Sequence, residues 1–237
     1  HWYYKKTIRK LSKIKYLLDN IEEPYMKDFF NVIFSICCRK FSYSDPRISV
    51  PVKINEHRFP EGHSLREAAN KHIRFIKLNN VFEFFIDQAN KNIARLKSYQ
   101  NATMFNNNEI VIYNSDIKEI DDNLIKDGSV QLILTSPPYV SAQKYIRASS
   151  LSLQWLGLNN NSLSSLDKKS IGREYFSPNE YKQFYKTGFK TIDTILLKIF
   201  EKNKLRAYIT YTYLIEMQKM FQKSFAILKE KGYFIMV

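Results

Sequence analysis

The stretch Val130-Gln131-Leu132-Ile133-Leu134-Thr135-Ser136-Pro137-Pro138-Tyr139 decides how this chain is read. It opens as a short apolar run and stops at a double proline, the pattern of a buried strand followed by a turn. A second run, Glu109-Ile110-Val111-Ile112-Tyr113, ends in Asn114-Ser115-Asp116, and the segment Ile117 to Lys126 between the two runs has helical spacing. Strand, helix, strand at this length predicts a right-handed parallel βαβ unit. Ligands of such sheets bind at the carboxyl ends of the strands, so Asp116 and the Ser-Pro-Pro-Tyr turn are expected there side by side.

Downstream, residues 140–178 form a polar loop, and Pro178 and Asn179 are expected to open a helix that reaches Glu201. Leu205 to Thr212 then reads as a strand, Tyr213 to Glu230 as a helix and Gly232 to Val237 as a further strand. Upstream, Ile8, Leu11, Ile14, Leu17 and Leu18 recur at helical spacing among lysines and arginines, giving an amphipathic basic helix from Trp2 to about Asp19. Pro24 suits the first turn of a second helix, expected to run to Phe41 with a broad apolar face. Three prolines in residues 42–63 break regular structure and predict a long, mobile loop. Ser64-Leu65-Arg66-Glu67 reads as a capping box that starts a helix extending to about Tyr99, with Asn79-Asn80 as a kink or junction. Phe75, Phe82, Phe84 and Phe85 fall at core-packing spacing. The division expected is a helical, basic region over residues 1–104, suited to DNA contact or packing, and an α/β portion over 105–237.

At 44% hydrophobic residues the chain can bury a core, and no apolar run or leader pattern points to a membrane, so a cytoplasmic protein is expected. Cys37 and Cys38 are adjacent, which excludes a bridged framework, and His1, His57, His63 and His72 are scattered; no metal is expected. The net charge of +14 is uneven, with 19 Lys and Arg against 10 Asp and Glu in residues 1–100. A basic surface attracts polyanions through counterion release, although lysine-rich composition also arises as plain solvated surface.

Leu132-Ile133-Leu134-Thr135-Ser136-Pro137-Pro138-Tyr139 resembles the fourth conserved motif of DNA amino-methyltransferases, in the Thr-Ser-Pro-Pro-Tyr form typical of cytosine-N4 enzymes. Further matches are Asp116, Tyr145, Leu153-Gln154-Trp155-Leu156-Gly157, Ile171-Gly172 and Ala226-Ile227-Leu228-Lys229-Glu230-Lys231-Gly232-Tyr233. The resemblance covers roughly residues 105–237, with a weaker echo from Asp28-Phe29-Phe30 to Ser42. It implies a partial Rossmann-like methyltransferase sheet, S-adenosylmethionine as cofactor, double-stranded DNA as substrate, a flipped-out target base and a place in a restriction-modification system. Asp116 and Thr135 fall on the cofactor side, Asp116 bonding the adenine amine; its other reading is a cap for the following helix. Tyr145, Lys144, Arg147 and Arg173 lie in or near the loop after the motif, as DNA contacts or as solvated loop residues.

The motif also makes chemical sense unnamed. An exocyclic amine is a poor nucleophile because its lone pair is delocalised into the ring, so a site must accept its N–H bonds and favour a pyramidal nitrogen. The Ser136 hydroxyl and the Pro137 carbonyl are two such acceptors, and Pro137 and Pro138 restrict the backbone that carries them. Tyr139 offers a face on which a base can stack. A base inside a duplex has to be flipped out to reach them. The bland alternatives are an ordinary turn and a polyproline recognition segment.

One departure from the family stands out. Its cofactor turn is Phe-x-Gly-x-Gly, followed by an acidic residue for the ribose, whereas Gly62, Gly128, Gly157, Gly172, Gly188 and Gly232 are each isolated here. The cofactor half is therefore expected upstream of His1 or on a second chain, and the absence of a starting Met and the stop at Val237 fit a portion of a longer protein. A relative that has lost cofactor binding is the remaining option. The function expected is a DNA (cytosine-N4)-methyltransferase or a subunit of one, inactive alone, with adenine-N6 transfer as the nearest alternative and a non-catalytic nucleic-acid-binding subunit as the alternative of another class.

Overall fold

The basic helix expected at the N-terminus runs from Lys5 to Asp19 (α1) in the computed structural model, which describes residues 1–102, 110–140, 144–158, 162–173 and 175–237. Its spacing puts Leu11, Ile14 and Leu18 on one buried stripe and leaves Lys5, Lys6, Arg9 and Lys13 exposed. The second helix (α2, Pro24–Lys40) has Pro24 in its first turn, while the Glu23 carboxylate accepts the Tyr25 and Met26 N–H groups at 3.2 and 2.5 Å.

The described residues pack as two units, one from residues 1–102, 145–158 and 162–163 and the other from residues 110–140, 144, 164–173 and 175–237. In the first, α1 and α2 are joined by α3 (Ser64–Leu78), α4 (Val81–Ala102), α5 (Tyr145–Ala148) and α6 (Ser150–Leu156). Leu11, Leu18, Phe34, Cys37, Cys38, Phe41 and Val81 make the core. Trp155 of α6 meets Tyr3 and Phe34 edge-on at 5.8 and 5.9 Å, and the Ser152 hydroxyl donates to the Ser35 carbonyl. α5 and α6 thus belong by packing with the helical region. Burial pushes the Cys37 thiol up to about 12, and Cys38 is raised by the same cause.

Two expectations in this unit need correction. The helix start at Ser64 is capped one residue earlier: Gly62 turns the chain at φ +77°, His63 stays extended, and its Nδ1 accepts the Leu65 N–H at 3.1 Å. Residues 42–63 are a tethered loop. Tyr43 N–H donates to the Trp2 carbonyl and Asp45 N–H to that of Val52, each at 2.8 Å, while Asp45 is clamped by two nitrogens of Arg47. Asn79 and Asn80 do separate α3 from α4, with Asn80 Oδ1 accepting the Phe82 N–H.

The second unit is mixed helix and strand. β1 (Val130–Thr135) pairs in parallel with β2 (Leu228–Met236), and α7 (Leu163–Lys169), α8 (Lys190–Lys202) and α9 (Lys204–Ile227) complete it. Leu132, Ile133, Leu134 and Thr135 lie opposite Tyr233, Phe234, Ile235 and Met236. Phe234 meets Phe221 of α9, so α9 covers one face of the pair, while Leu132, Leu134, Tyr233 and Ile235 are exposed on the other. Leu228 faces Val130 but Tyr233 already faces Leu132, so β2 bulges between them. Gly232 sits in that bulge because nothing larger fits: a methyl group there would lie 2.9 Å from Leu228 Cγ and 3.0 and 3.1 Å from the Lys229 and Gln131 carbonyl oxygens.

Here the structure overturns several sequence expectations. Ile110 to Asp116 form no strand and Ile110 and Ile112 are 79% and 89% exposed, so the βαβ unit expected with Val130–Leu134 is not made; Glu109 lies outside the described residues. A β-branched run becomes a strand only with a neighbour to pair with, and residues 110–116 pair with none among the described residues. Ile117–Glu119 is one 3-10 turn followed by bends. Leu205 to Thr212 is the start of α9: the Asn203 side chain accepts the Arg206 N–H at 3.0 Å, and the Thr210 and Thr212 hydroxyls bond back to the Arg206 and Tyr208 carbonyls. The helix expected at Pro178 begins only at Lys190. Gly188 turns the chain at φ +92°, and the Asp193 carboxylate collects the Thr187 and Gly188 N–H groups ahead of it. Among the described residues no helix is long and apolar enough to cross a membrane.

Candidate active site

The Ser-Pro-Pro-Tyr segment leaves the carboxyl end of β1, where the Thr135 carbonyl accepts the Val237 N–H at 3.0 Å and so closes the parallel pair. Beyond that bond the chain leaves the sheet. Ser136 is exposed, Pro137 and Pro138 are half-buried, and Tyr139 is 58% exposed. Neither the Ser136 nor the Tyr139 hydroxyl has a side-chain hydrogen bond among the described residues. An acceptor and an aromatic face are thus presented to solvent at the end of a parallel strand, from a backbone narrowed by two prolines.

Two elements lie against this segment. Gly172, at φ +81°, comes so near that a methyl group on it would stand 3.6 Å from the Tyr139 carbonyl oxygen and 3.6 Å from Tyr213 Cδ2 of α9. Glycine is needed there by its backbone conformation. The Ile171-Gly172 turn and the motif loop, distant in sequence, are therefore neighbours, and Tyr213 of α9 packs on the same turn, a residue the sequence does not single out. Its position was hidden because the preceding residues were read as a strand.

Arg173 follows Gly172 but is turned inward. Its guanidinium pairs with Glu180 at 2.8 Å and lies 3.9 Å from the centre of the Phe176 ring. The Ser177 N–H holds the Glu180 carboxyl below its usual range, with Arg173 adding to the effect. Phe176 in turn meets Tyr208 edge-on, and Tyr211 stacks with both Tyr208 and Tyr185 in an aromatic cluster between the loop and α9.

Asp116 stands ahead of the 3-10 turn and ends no strand, since residues 110–116 form none. Its Oδ1 accepts the Lys118 N–H at 2.9 Å, the capping geometry, and its Oδ2 lies 3.4 Å from Lys118 Nζ. Lys118 also approaches Glu216 of α9 at 3.6 Å, which ties this turn to the helix. No hydrogen bond or ion pair among the described residues joins Asp116 to Thr135–Tyr139. Lys144 is half-buried, and Tyr145 and Arg147 are exposed on α5 in the helical unit.

The described residues do not by themselves form a complete cradle for a nucleoside cofactor. The glycines remain isolated, most with open space where a side chain would go, and Asp116 is occupied as a cap. Among the described residues no three His, Cys, Asp or Glu side chains converge as metal ligands do. Comparison of the chain with protein-family models, with curated proteins and with solved structures finds no match.

Proposed function

We propose that this chain carries the target-base half of a DNA amino-methyltransferase, acting on cytosine N4, within a Rossmann-like sheet completed by a segment or second chain that bears the glycine-rich cofactor turn. The observation that carries the reading is the Ser136 to Tyr139 segment at the carboxyl end of β1, with Ser136 and Tyr139 exposed, no side-chain hydrogen bond on either hydroxyl among the described residues, and the Gly172 turn beside it. In this reading the Ser136 hydroxyl and the Pro137 carbonyl accept the two N–H bonds of the flipped base, which localises the nitrogen lone pair for attack. Tyr139 stacks on the base and fixes its plane. S-adenosylmethionine, when bound, supplies an electrophilic methyl group; alignment with the base nitrogen supplies much of the rate. Pro138 keeps Pro137 extended, so the acceptors are placed before the base arrives.

Adenine-N6 transfer uses the same pair of acceptors and differs only in the base. A non-catalytic nucleic-acid-binding role is favoured by one observation, the engagement of Asp116 as a cap. The test is transfer of a labelled methyl group to duplex DNA and to RNA, by the chain alone and with a complementing polypeptide that contains a glycine-rich cofactor turn, followed by mass analysis of the modified base. The expected result is N4-methylcytosine in DNA only with the complement. Salt-dependent DNA binding with no transfer in either setting would overturn the catalytic reading.

A further inference from the structure

The helical unit carries a second feature that the base-handling loop does not use. Six cations of α1, Lys5, Lys6, Arg9, Lys10, Lys13 and Lys15, precede its first carboxylate at Asp19, and α3 holds Lys71, Arg74 and Lys77 with no carboxylate after Glu67. The two helices are held together at this basic end: Lys6 Nζ donates to the Lys77 carbonyl at 2.8 Å, and Lys10 Nζ to the Asn80 side-chain oxygen at 2.9 Å. Lys5, Arg9 and Lys13 recur every fourth residue along one exposed face of α1, and Lys71, Arg74 and Lys77 every third along an exposed face of α3. None of these six is ion-paired among the described residues, whereas Lys15, Arg47, Arg66 and Lys91 of the same unit are. So many like charges side by side repel one another, and Glu67, four residues before Lys71, is the one carboxylate on these stretches of α1 and α3 placed to offset them.

We infer that the Lys5/Arg9/Lys13 stripe of α1 together with Lys71, Arg74 and Lys77 of α3 is a phosphate-backbone docking surface for duplex DNA. The stripe rises about 12 Å along the helix at 1.5 Å per residue, while one strand of a duplex advances about 3.4 Å per phosphate, so it covers three to four consecutive charges. A lipid surface fits less well. An interfacial helix inserts its apolar face, and here Leu11, Ile14 and Leu18 are committed to the core. Tyr16 and Leu17 are exposed at the end of the stripe but are only two side chains. The identity of the polyanion rests on the nucleic-acid reading above; the surface itself stands on its charge and geometry. Backbone contacts of this kind position a protein on a duplex without reading its sequence.

The test uses the full chain, a labelled 20-base-pair duplex, single-stranded RNA of equal length and vesicles with anionic headgroups, each titrated over a range of salt. Lys5→Gln/Arg9→Gln/Lys13→Gln is compared with a control that loses the same charge on α8, Lys190→Gln/Lys198→Gln/Lys202→Gln, with helical content checked by circular dichroism. The stripe variant is expected to bind the duplex at least tenfold more weakly and to lower the slope of log affinity against log salt by about two to three, at roughly 0.9 per phosphate contact. The control is expected to change that slope by less than one. Equal losses in both variants, wild-type binding by the stripe variant, or a preference for vesicles or for RNA over the duplex would each overturn the proposal. Binding is read without methyl transfer, so failure of the catalytic reading leaves this result standing and failure here leaves that reading untouched.

Discussion

Ser136 and Tyr139 are the residues on which the proposed chemistry turns, and both are surface side chains whose removal costs the fold little. In the complemented enzyme, Ser136→Ala is expected to lower the rate of methyl transfer roughly 100-fold, the scale set by removing one pre-placed hydrogen-bonding group from a transition state. Duplex affinity and melting temperature are expected to stay at wild-type values; a single-turnover assay that finds an unchanged rate refutes the role. Tyr139→Ala is expected to fail in the same assay, with partial rescue by Tyr139→Phe, since stacking needs the ring and not the hydroxyl. Gly232 poses the opposite problem, because its surroundings are already full. Gly232→Ala forces a methyl group against two carbonyl oxygens and is expected to destabilise the second unit by about 1–3 kcal/mol, the range for overpacking, as a shift in urea midpoint. The Ser-Pro-Pro-Tyr segment was legible in the sequence because prolines act through local geometry. The inward turn of Arg173 was not, since it depends on Glu180 and Phe176 closing on it from beyond a turn.

Elements were legible where one helix could satisfy itself. α1 and α2 follow their apolar spacing and their Pro24 start to within a few residues, and the Asn79-Asn80 junction falls where two amides interrupt the pattern. Strands were harder because their partners are remote. Ile110 to Tyr113 and Leu205 to Thr212 are richer in β-branched and aromatic residues than Val130 to Leu134, yet one is unpaired and the other is helical. The second outcome is decided by capping and packing: Asn203 starts the helix, and Tyr208 and Tyr211, three residues apart, share a face against Tyr185. Asn203→Ala is accordingly expected to cost about 1 kcal/mol, the usual worth of an N-cap side chain, and to lower the helix signal on thermal melting. Asn203→Asp, which keeps the acceptor, is expected to restore it. Equal loss in both variants would show that the amide group serves another purpose. The parallel pairing of β1 with β2 puts two strands together whose continuous apolar runs suit burial on both faces, although α9 covers only one.

At the scale of the molecule, two units with different chemistry share one chain, and the helical one contains a buried histidine. The helical unit holds His72 buried between α2, the 42–63 loop and α3, with its Nε2 3.1 Å from the Ser42 carbonyl, so this nitrogen carries a proton and donates. Burial pushes its pKa below the ordinary 6.5, with Lys40 and Arg39 adding to the effect and the Ser42 bond and Asp45 opposing it. Since the folded value lies below the unfolded one, the unfolded chain takes up the proton first, and stability falls as pH drops below about 6.5. Asp45 acts in a lower window. The Arg47 hydrogen bonds hold its carboxyl below the usual range, so its contribution is present above about 3.9 and is lost as the pH falls further. Both tryptophans, Trp2 and Trp155, lie in this unit, so indole fluorescence reports its unfolding alone. The urea midpoint followed by that signal is expected to fall between pH 7.5 and 5.5. In His72→Gln, whose amide nitrogen can still donate to the Ser42 carbonyl but does not titrate, the midpoint is expected to be flat over the same range. A wild-type midpoint that stays level, or a variant that falls as steeply as the wild type, would show that His72 is not the group that makes the helical unit sensitive to mild acid.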